Sequence, residues 1–278
     1  PMLSKAFVQE DHEFNRKTLS GIPEIPPRWR RCVNAVDGNM GMALGRIYVK
    51  EHFPPEAKRR VDELVKNLLA ALDEDIDTLT WMSPATKKAA HAKIATFETK
   101  LGYPDKWRDY STLEIVPGAY VTNVIAASQF ESRRDIAKIG KPVDRTDWNM
   151  NPPDVNAQYT SPKNEIMFPA GILQPPFFYA EGDDAINYGA IGAVIGHEIT
   201  HGFDNSGRKF DAQGNQVDWW TAEDAKNFDD RAKCIIQQFD GYVVEPGLNQ
   251  KGELVQGESI ADLGGLTIAY KAFQRSLQ

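Results

Sequence analysis

The strongest periodic signal in the chain is PPEAKRRVDELVKNLLAALDEDIDTL, residues 54–79, where Val61, Leu64, Val65, Leu68, Leu69, Leu72 and Ile76 recur with polar residues between them. Apolar positions three and four apart share one face of a helix, so this segment predicts an amphipathic helix opening on tandem prolines. Upstream, Pro26 and Pro27 precede a similar pattern, in which Val33, Val36, Met40, Leu44 and Ile47 predict another helix. In SPATKKAAHAKIATFETKLG, Ser83 is placed to cap a third helix, Pro84 to fill its first turn and Gly102 to stop it. The first hundred residues therefore read as helical.

From residue 106 to residue 186 the texture changes: prolines cluster and long helical periodicity disappears. Here VNAQY (155–159) and EIMF (165–168), separated by the turn-like TSPKN, predict an antiparallel strand pair ended by Pro169. Helical texture returns in AINYGAIGAVIGHEITHGF, in TAEDAKNFDDRAKCIIQQF, where Thr221 is the expected N-cap, and in GESIADLGGLTIAYKAFQRSL. The pattern predicts a mainly α protein with a small antiparallel β-sheet, an α+β fold.

Composition narrows the function classes. With 278 residues and 41% apolar content, the chain can build one large or two modest domains. A formal charge of -7 argues against nucleic acid or an anionic membrane as partner, and the KRR at 58–60 reads as a solvated helix face. No run approaches the roughly 18 apolar residues of a membrane span. The opening PMLSKAFVQEDHEF lacks the charged start, apolar centre and cleavage site of a signal peptide. Cys32 and Cys234 form no CxxC, which excludes a cysteine zinc site, and their spacing does not imply a disulfide.

Candidate chemistry begins at AVIGHEITHGFDNSG, residues 193–207. On a helix, residues four apart are about 40° apart around the axis and about 6 Å along it, so His197 and His201 can converge on one ion. Glu198 is displaced sideways from that line, within reach of an activated water: the HExxH arrangement of zinc peptidases, with the glutamate as general base. The competing reading is an ordinary helix turn carrying two imidazoles. A catalytic zinc needs a third protein ligand and an open fourth position. Glu258 and Asp262 offer a carboxylate pair at i, i+4 on another predicted helix. Such pairs are usually solvated surface. Here they lie among Ile260, Leu263, Leu266 and Ile268, beside Gly264 and Gly265, which permit close helix approach. A buried-facing Glu258 is then a ligand, with Asp262 orienting one histidine through its second ring nitrogen.

VNAQYTSPKNEIMFPAGILQPPFF, IGHEITHGFDNSGRKFD and GESIADLGGLTIAYKAF, in this order, resemble the signature blocks of the neprilysin family of zinc endopeptidases, with further similarity in RRCVNAVDGNMGMALGRIYV and GYPDKW. The resemblance implies His197, His201 and Glu258 as ligands of one Zn2+, Glu198 as catalytic base, and Asp204 and Asp262 as partners of the two histidines. Asn156 and Ala157 become the peptide-holding edge strand, and Ile172, Phe177 and Val194 line the pocket for the residue after the cleaved bond, plain core packing being the other reading of those three. It also implies a thermolysin-like zincin core over 111–278, lacking its C-terminal segment, with residues 1–110 forming part of a helical lid lobe and linker.

The implied function is zinc-dependent cleavage of oligopeptides, extracellular or periplasmic, with a cytoplasmic bacterial form as the other setting. The alternative is a catalytically incomplete zinc- or peptide-binding fragment, either an incomplete product or one piece of an enzyme whose N- and C-terminal parts are supplied as other chains. Cys32 and Cys234 match family cysteines whose partners lie in the absent segments, so no bond between them is expected.

Overall fold

The computed structural model describes residues 3–278. Nine α-helices lie among them: α1 Lys5–Asp11, α2 Arg28–His52, α3 Pro55–Thr78, α4 Pro84–Ile94, α5 Tyr120–Ile136, α6 Asp184–Asn187, α7 Ala193–Thr200, α8 Ala222–Asp240 and α9 Gly252–Ser276. The strands are β1 Glu98–Gly102, β2 Gln158–Thr160, β3 Glu165–Pro169, β4 Val243–Glu245 and β5 Leu248–Asn249. The chain forms two compact units, one of residues up to Ile47 with Lys106–Asp147, the other of Tyr48–Asp105 with Trp148–Gln278. The units are thus not cut at residue 110: α3, α4 and β1 pack with the C-terminal elements.

In the first unit, the stripe expected on α2 is not its buried face. Val33, Val36 and Ile47 are exposed and Met42 is buried; Met40 leaves helical geometry (φ -143°, ψ 36°), so the residues beyond it do not keep the phase of those before it. The segment expected to lack long helices contains α5. Only Ala127 of that helix is buried, so the apolar stripe that announces a helix is missing from its sequence.

In the second unit, α3 buries Val61, Leu64, Val65, Leu68, Leu72 and Ile76 as its periodicity predicts. The third helix, however, ends at Ile94, and the following residues form β1 rather than a last helical turn. β1 pairs in parallel with β3, which pairs antiparallel with β2, so the sheet order is β1-β3-β2 and the sheet is mixed rather than purely antiparallel. Parallel pairing with a strand far along the chain leaves no local signal. Gly102 ends β1 at φ +75°, with the Phe53 ring where a Cβ would project. Every residue of β3 is buried, which places this strand at the centre of the sheet and leaves β2 as an edge.

On α9 the buried residues are small, Ser259, Ala261, Gly265, Ala269 and Ala272 with Ile268, whereas Leu263, Leu266 and Tyr270 are exposed. A stripe of small side chains lets α9 lie close against α7. Lys271 and Arg275 pair with Asp75 and Glu74 on α3. No helix of the described residues is long and apolar enough to cross a membrane.

Ser83 and Thr221 cap α4 and α8 as expected. The two caps meet at the buried Asp224, whose carboxylate accepts from Ser83 N (2.9 Å), Ser83 Oγ (2.5 Å), Thr86 Oγ1 (2.6 Å) and Thr221 Oγ1 (2.7 Å). Burial works to raise its pKa, but the donated hydrogen bonds prevail and bring it down to about 2. Asp224→Ala is expected to lower the unfolding free energy by about 2–4 kcal/mol at neutral pH in urea titrations. Because the folded value is depressed, this contribution is full above the unfolded value of about 3.9 and lost as pH falls toward about 2, so wild type and variant converge in acid. An undiminished difference at pH 2 counts against the carboxylate as its source.

Candidate metal centre

Ile195 and Ile199, each 0% exposed, anchor α7 in the core on one stripe, continued before the helix by Ile191, also 0% exposed. His197 and His201 lie two positions from that stripe, on the opposite side of the helix. A π-helical segment, Tyr188–Gly192, leads directly into α7, a local widening of the helix often found at functional sites. The two helices touch through glycine. A Cβ on Gly265 would stand 2.5 Å from His197 N and 2.7 Å from Ala193 O, and one on Gly196 would stand 2.6 Å from Gly265 O. This contact brings Glu258 and Asp262 over the histidines.

The imidazole Nε2 atoms of His197 and His201 are 2.9 Å apart, with their rings perpendicular. Glu258 Oε2 stands 3.3 Å from the first and 3.6 Å from the second. On the far side of each ring, His197 Nδ1 is 2.8 Å from Asp262 Oδ1 and His201 Nδ1 is 2.7 Å from Asp204 Oδ2. Ionised carboxylates only accept, so the Nδ1 atoms donate and both Nε2 lone pairs aim at one point beside a third anionic oxygen. Such a convergence of lone pairs is stabilised by a cation. Donors about 2.0–2.1 Å from a tetrahedral zinc lie about 3.3 Å from one another, close to the three separations seen. Among the described residues, His197, His201 and Glu258 are the one group of three or more His, Cys, Asp or Glu with this geometry.

Burial opposes charge on His201, but the hydrogen bond and charge of Asp204 outweigh it and raise its pKa. Asp204 is held low in turn: burial would raise it, but His201 and the N–H groups of Gly207 and Ser206 hydrogen-bond its carboxylate. Glu198 is buried beside this group. Burial raises its pKa, partly countered by the two imidazoles and a main-chain hydrogen bond from Tyr159. A desolvated carboxylate with a raised pKa is a better proton acceptor than one in water.

Two models described as peptidase family M13 match residues 1–104 and 156–278. The chain belongs to peptidase family M13. This M13 chain is 40% identical to human neprilysin over 286 residues, which cover 99% of the chain and 38% of neprilysin. It matches the crystal structure of Mycobacterium tuberculosis zinc metalloprotease Zmp1 in complex with an inhibitor at 48% identity and TM-score 0.93, covering 99% of this chain and 42% of that one. PepO from Lactobacillus rhamnosis matches at 35% identity and TM-score 0.89, over 96% and 42%. The M13 chain thus spans about two fifths of the length of these relatives.

The structure brings His197, Glu198, His201, Asp204, Glu258 and Asp262 together. Glu258 is not buried-facing as expected: its side chain is 70% exposed and that of Asp262 78%, because the inward stripe of α9 is occupied by small residues and both carboxylates reach the histidines from its rim. Asn156 and Ala157 lie just before β2, with Asn156 exposed. Ile172 is buried, Val194 half-buried and Phe177 exposed, so these three do not share one environment. Cys32 and Cys234 are both free and exposed. Sequence reasoning missed Gly196, whose only signal was its place four positions before Thr200 on the face that meets α9.

Proposed function

We propose that this M13 chain carries the zinc centre of a metalloendopeptidase that hydrolyses oligopeptides. The observation that carries the reading is the convergence of His197 Nε2, His201 Nε2 and Glu258 Oε2, with each histidine backed by its own carboxylate. Zinc held by these three residues would supply Lewis acidity, enough to polarise a scissile carbonyl and to make water acidic near neutral pH. The chain's own residues do the rest. Asp204 and Asp262 fix the ring orientations and tautomers. Glu198 takes the proton of the attacking water and later delivers it to the leaving amide nitrogen. The edge of β2, with Asn156 and Ala157 just before it, holds the substrate backbone as an added strand, a mode indifferent to side-chain sequence. Ile172, Phe177 and Val194 are proposed to border the pocket beyond the scissile bond.

The resemblance to the neprilysin family carries with it an extracellular or periplasmic site of action, which fractionation of the source cell tests. A second reading is a chain that holds metal and peptide but does not turn the peptide over by itself. It is favoured by the exposure of Glu258 and Asp262 and of Leu263, Leu266 and Tyr270 beside them, a face suited to the N- and C-terminal parts of the same enzyme supplied as other chains. A fluorogenic peptide assay, with and without chelator, separates the two: chelator-sensitive cleavage by this chain supports the first reading, and cleavage only by the full-length protein supports the second. Cleavage that survives complete removal of metal overturns both.

A further inference from the structure

Lys93 lies on α4 along the buried line of Thr86, Ala90 and Ile94, and is itself 0% exposed. Its Nζ donates to three main-chain carbonyls, Gly202 O (2.6 Å), Phe210 O (2.7 Å) and Gly207 O (2.9 Å). An ammonium group has three hydrogens, so the set is complete without a carboxylate. Phe203, Trp219 and Tyr159 surround it, their ring centroids 5.4, 5.7 and 5.8 Å from Nζ. The main chain of Lys93 is pinned too: its carbonyl accepts from Asn164 Nδ2, and Tyr159 Oη donates to Asn164 Oδ1. A buried lysine is costly unless its hydrogens are satisfied, and all three are spent on one segment of chain.

That segment, residues 202–210, follows His201 directly. It folds back so that Ser206 N and Gly207 N reach Asp204 Oδ1 at 2.7 and 2.6 Å, leaving Oδ2 for His201 Nδ1. The winding is tight: a Cβ on Gly207 would fall 1.7 Å from His201 O. Lys93 holds the turn from outside at its start, middle and end, and Asp204 holds it from within. The ammonium thus takes the place that a structural cation takes in other loops ringed by carbonyls.

We propose that Lys93 is a positioning residue of the metal centre, a tethered cation that fixes the 202–210 turn so that Asp204 meets His201 and His201 presents Nε2 to the metal. This rests on the reading of His197, His201 and Glu258 as metal ligands. The test is the zinc affinity of the full chain, by competition with a chromophoric chelator, for wild type, Lys93→Met, Asp204→Asn and the double variant. Far-UV circular dichroism and thermal midpoint are recorded for each. Lys93→Met keeps the length of the side chain without its donors, and is expected to weaken zinc binding about 10–100-fold, as loss of an outer partner of a ligand does. Because it acts through Asp204, the double variant is expected to bind no more weakly than Asp204→Asn alone; a general loss of stability would multiply the two effects. If Lys93→Met does not fold, Lys93→Gln, which retains an amide donor, serves in its place and is expected to weaken binding less but in the same direction. Wild-type affinity in a folded Lys93 variant, or multiplicative losses, overturns the proposal alone. A wild type that binds no zinc overturns the metal reading, and this proposal with it.

Discussion

Glu198→Gln in the full-length protein is expected to lower peptide turnover by on the order of 10²–10⁴-fold while zinc stays bound. Glutamine matches glutamate in shape and is not among the three converging ligand atoms, so the metal keeps its donors. The amide has no free carboxylate oxygen to accept a proton from water or to pass it to the leaving nitrogen. Burial of Glu198 beside His197 and His201 makes it the acid-base group closest in character to the task, since desolvation raises its pKa toward the working pH. Turnover numbers and metal content measured on the same sample check this. Unchanged kcat with zinc bound removes Glu198 from its role, and loss of zinc points to a ligand role instead.

Gly265→Ala is expected to damage both the fold and the metal centre through the contact between α7 and α9. The new Cβ would stand 2.5 Å from His197 N, 2.7 Å from Ala193 O and 2.9 Å from His197 Cα, all backbone atoms that no rotamer change can move. The helices α7 and α9 must separate, at a cost of about 1–3 kcal/mol or more. The same separation carries Glu258 and Asp262 away from the histidines, so zinc affinity falls beyond what the loss of stability explains. Gly38→Ala is the control: nothing lies within 4 Å of its Cβ and it sits in α2, where alanine is favoured over glycine by about 0.5–1 kcal/mol. Urea denaturation and chelator competition should show Gly38→Ala neutral or stabilising with normal zinc binding, and Gly265→Ala impaired in both. A Gly265→Ala protein with wild-type zinc affinity means that the glycine contact does not set the site.

Much of this site is legible in the sequence because its geometry is local or carried by a strong period. His197, Glu198 and His201 follow from the pitch of one helix, and Ser83 and Thr221 from capping chemistry. The pairing of Gly264 and Gly265 with a neighbouring helix was also readable, since small residues on a helix invite close approach. What stayed hidden depends on partners far along the chain. β1 is defined by β3, whose residues lie more than sixty positions later. The helix α5 has almost no buried face to announce it, and the stripe expected on α2 loses its phase at Met40. The exposure of Glu258 and Asp262 follows from a small-residue stripe on α9 that the larger Leu263 and Leu266 obscure. Lys93 had a signal that went unread: a lysine on the line of Ala90 and Ile94, where the helix faces inward, is out of place unless something there receives its charge.

The central claim, that His197, His201 and Glu258 bind one zinc ion, is tested most directly by the metal content of the purified chain after dialysis against trace zinc, measured by inductively coupled plasma mass spectrometry for wild type and His201→Ala. About one zinc per wild-type chain is expected, as for a three-ligand site with an open position, with a large loss in the variant while its circular dichroism stays unchanged. Wild type without stoichiometric zinc, or a folded His201→Ala that retains it, means that His197, His201 and Glu258 do not form a zinc site.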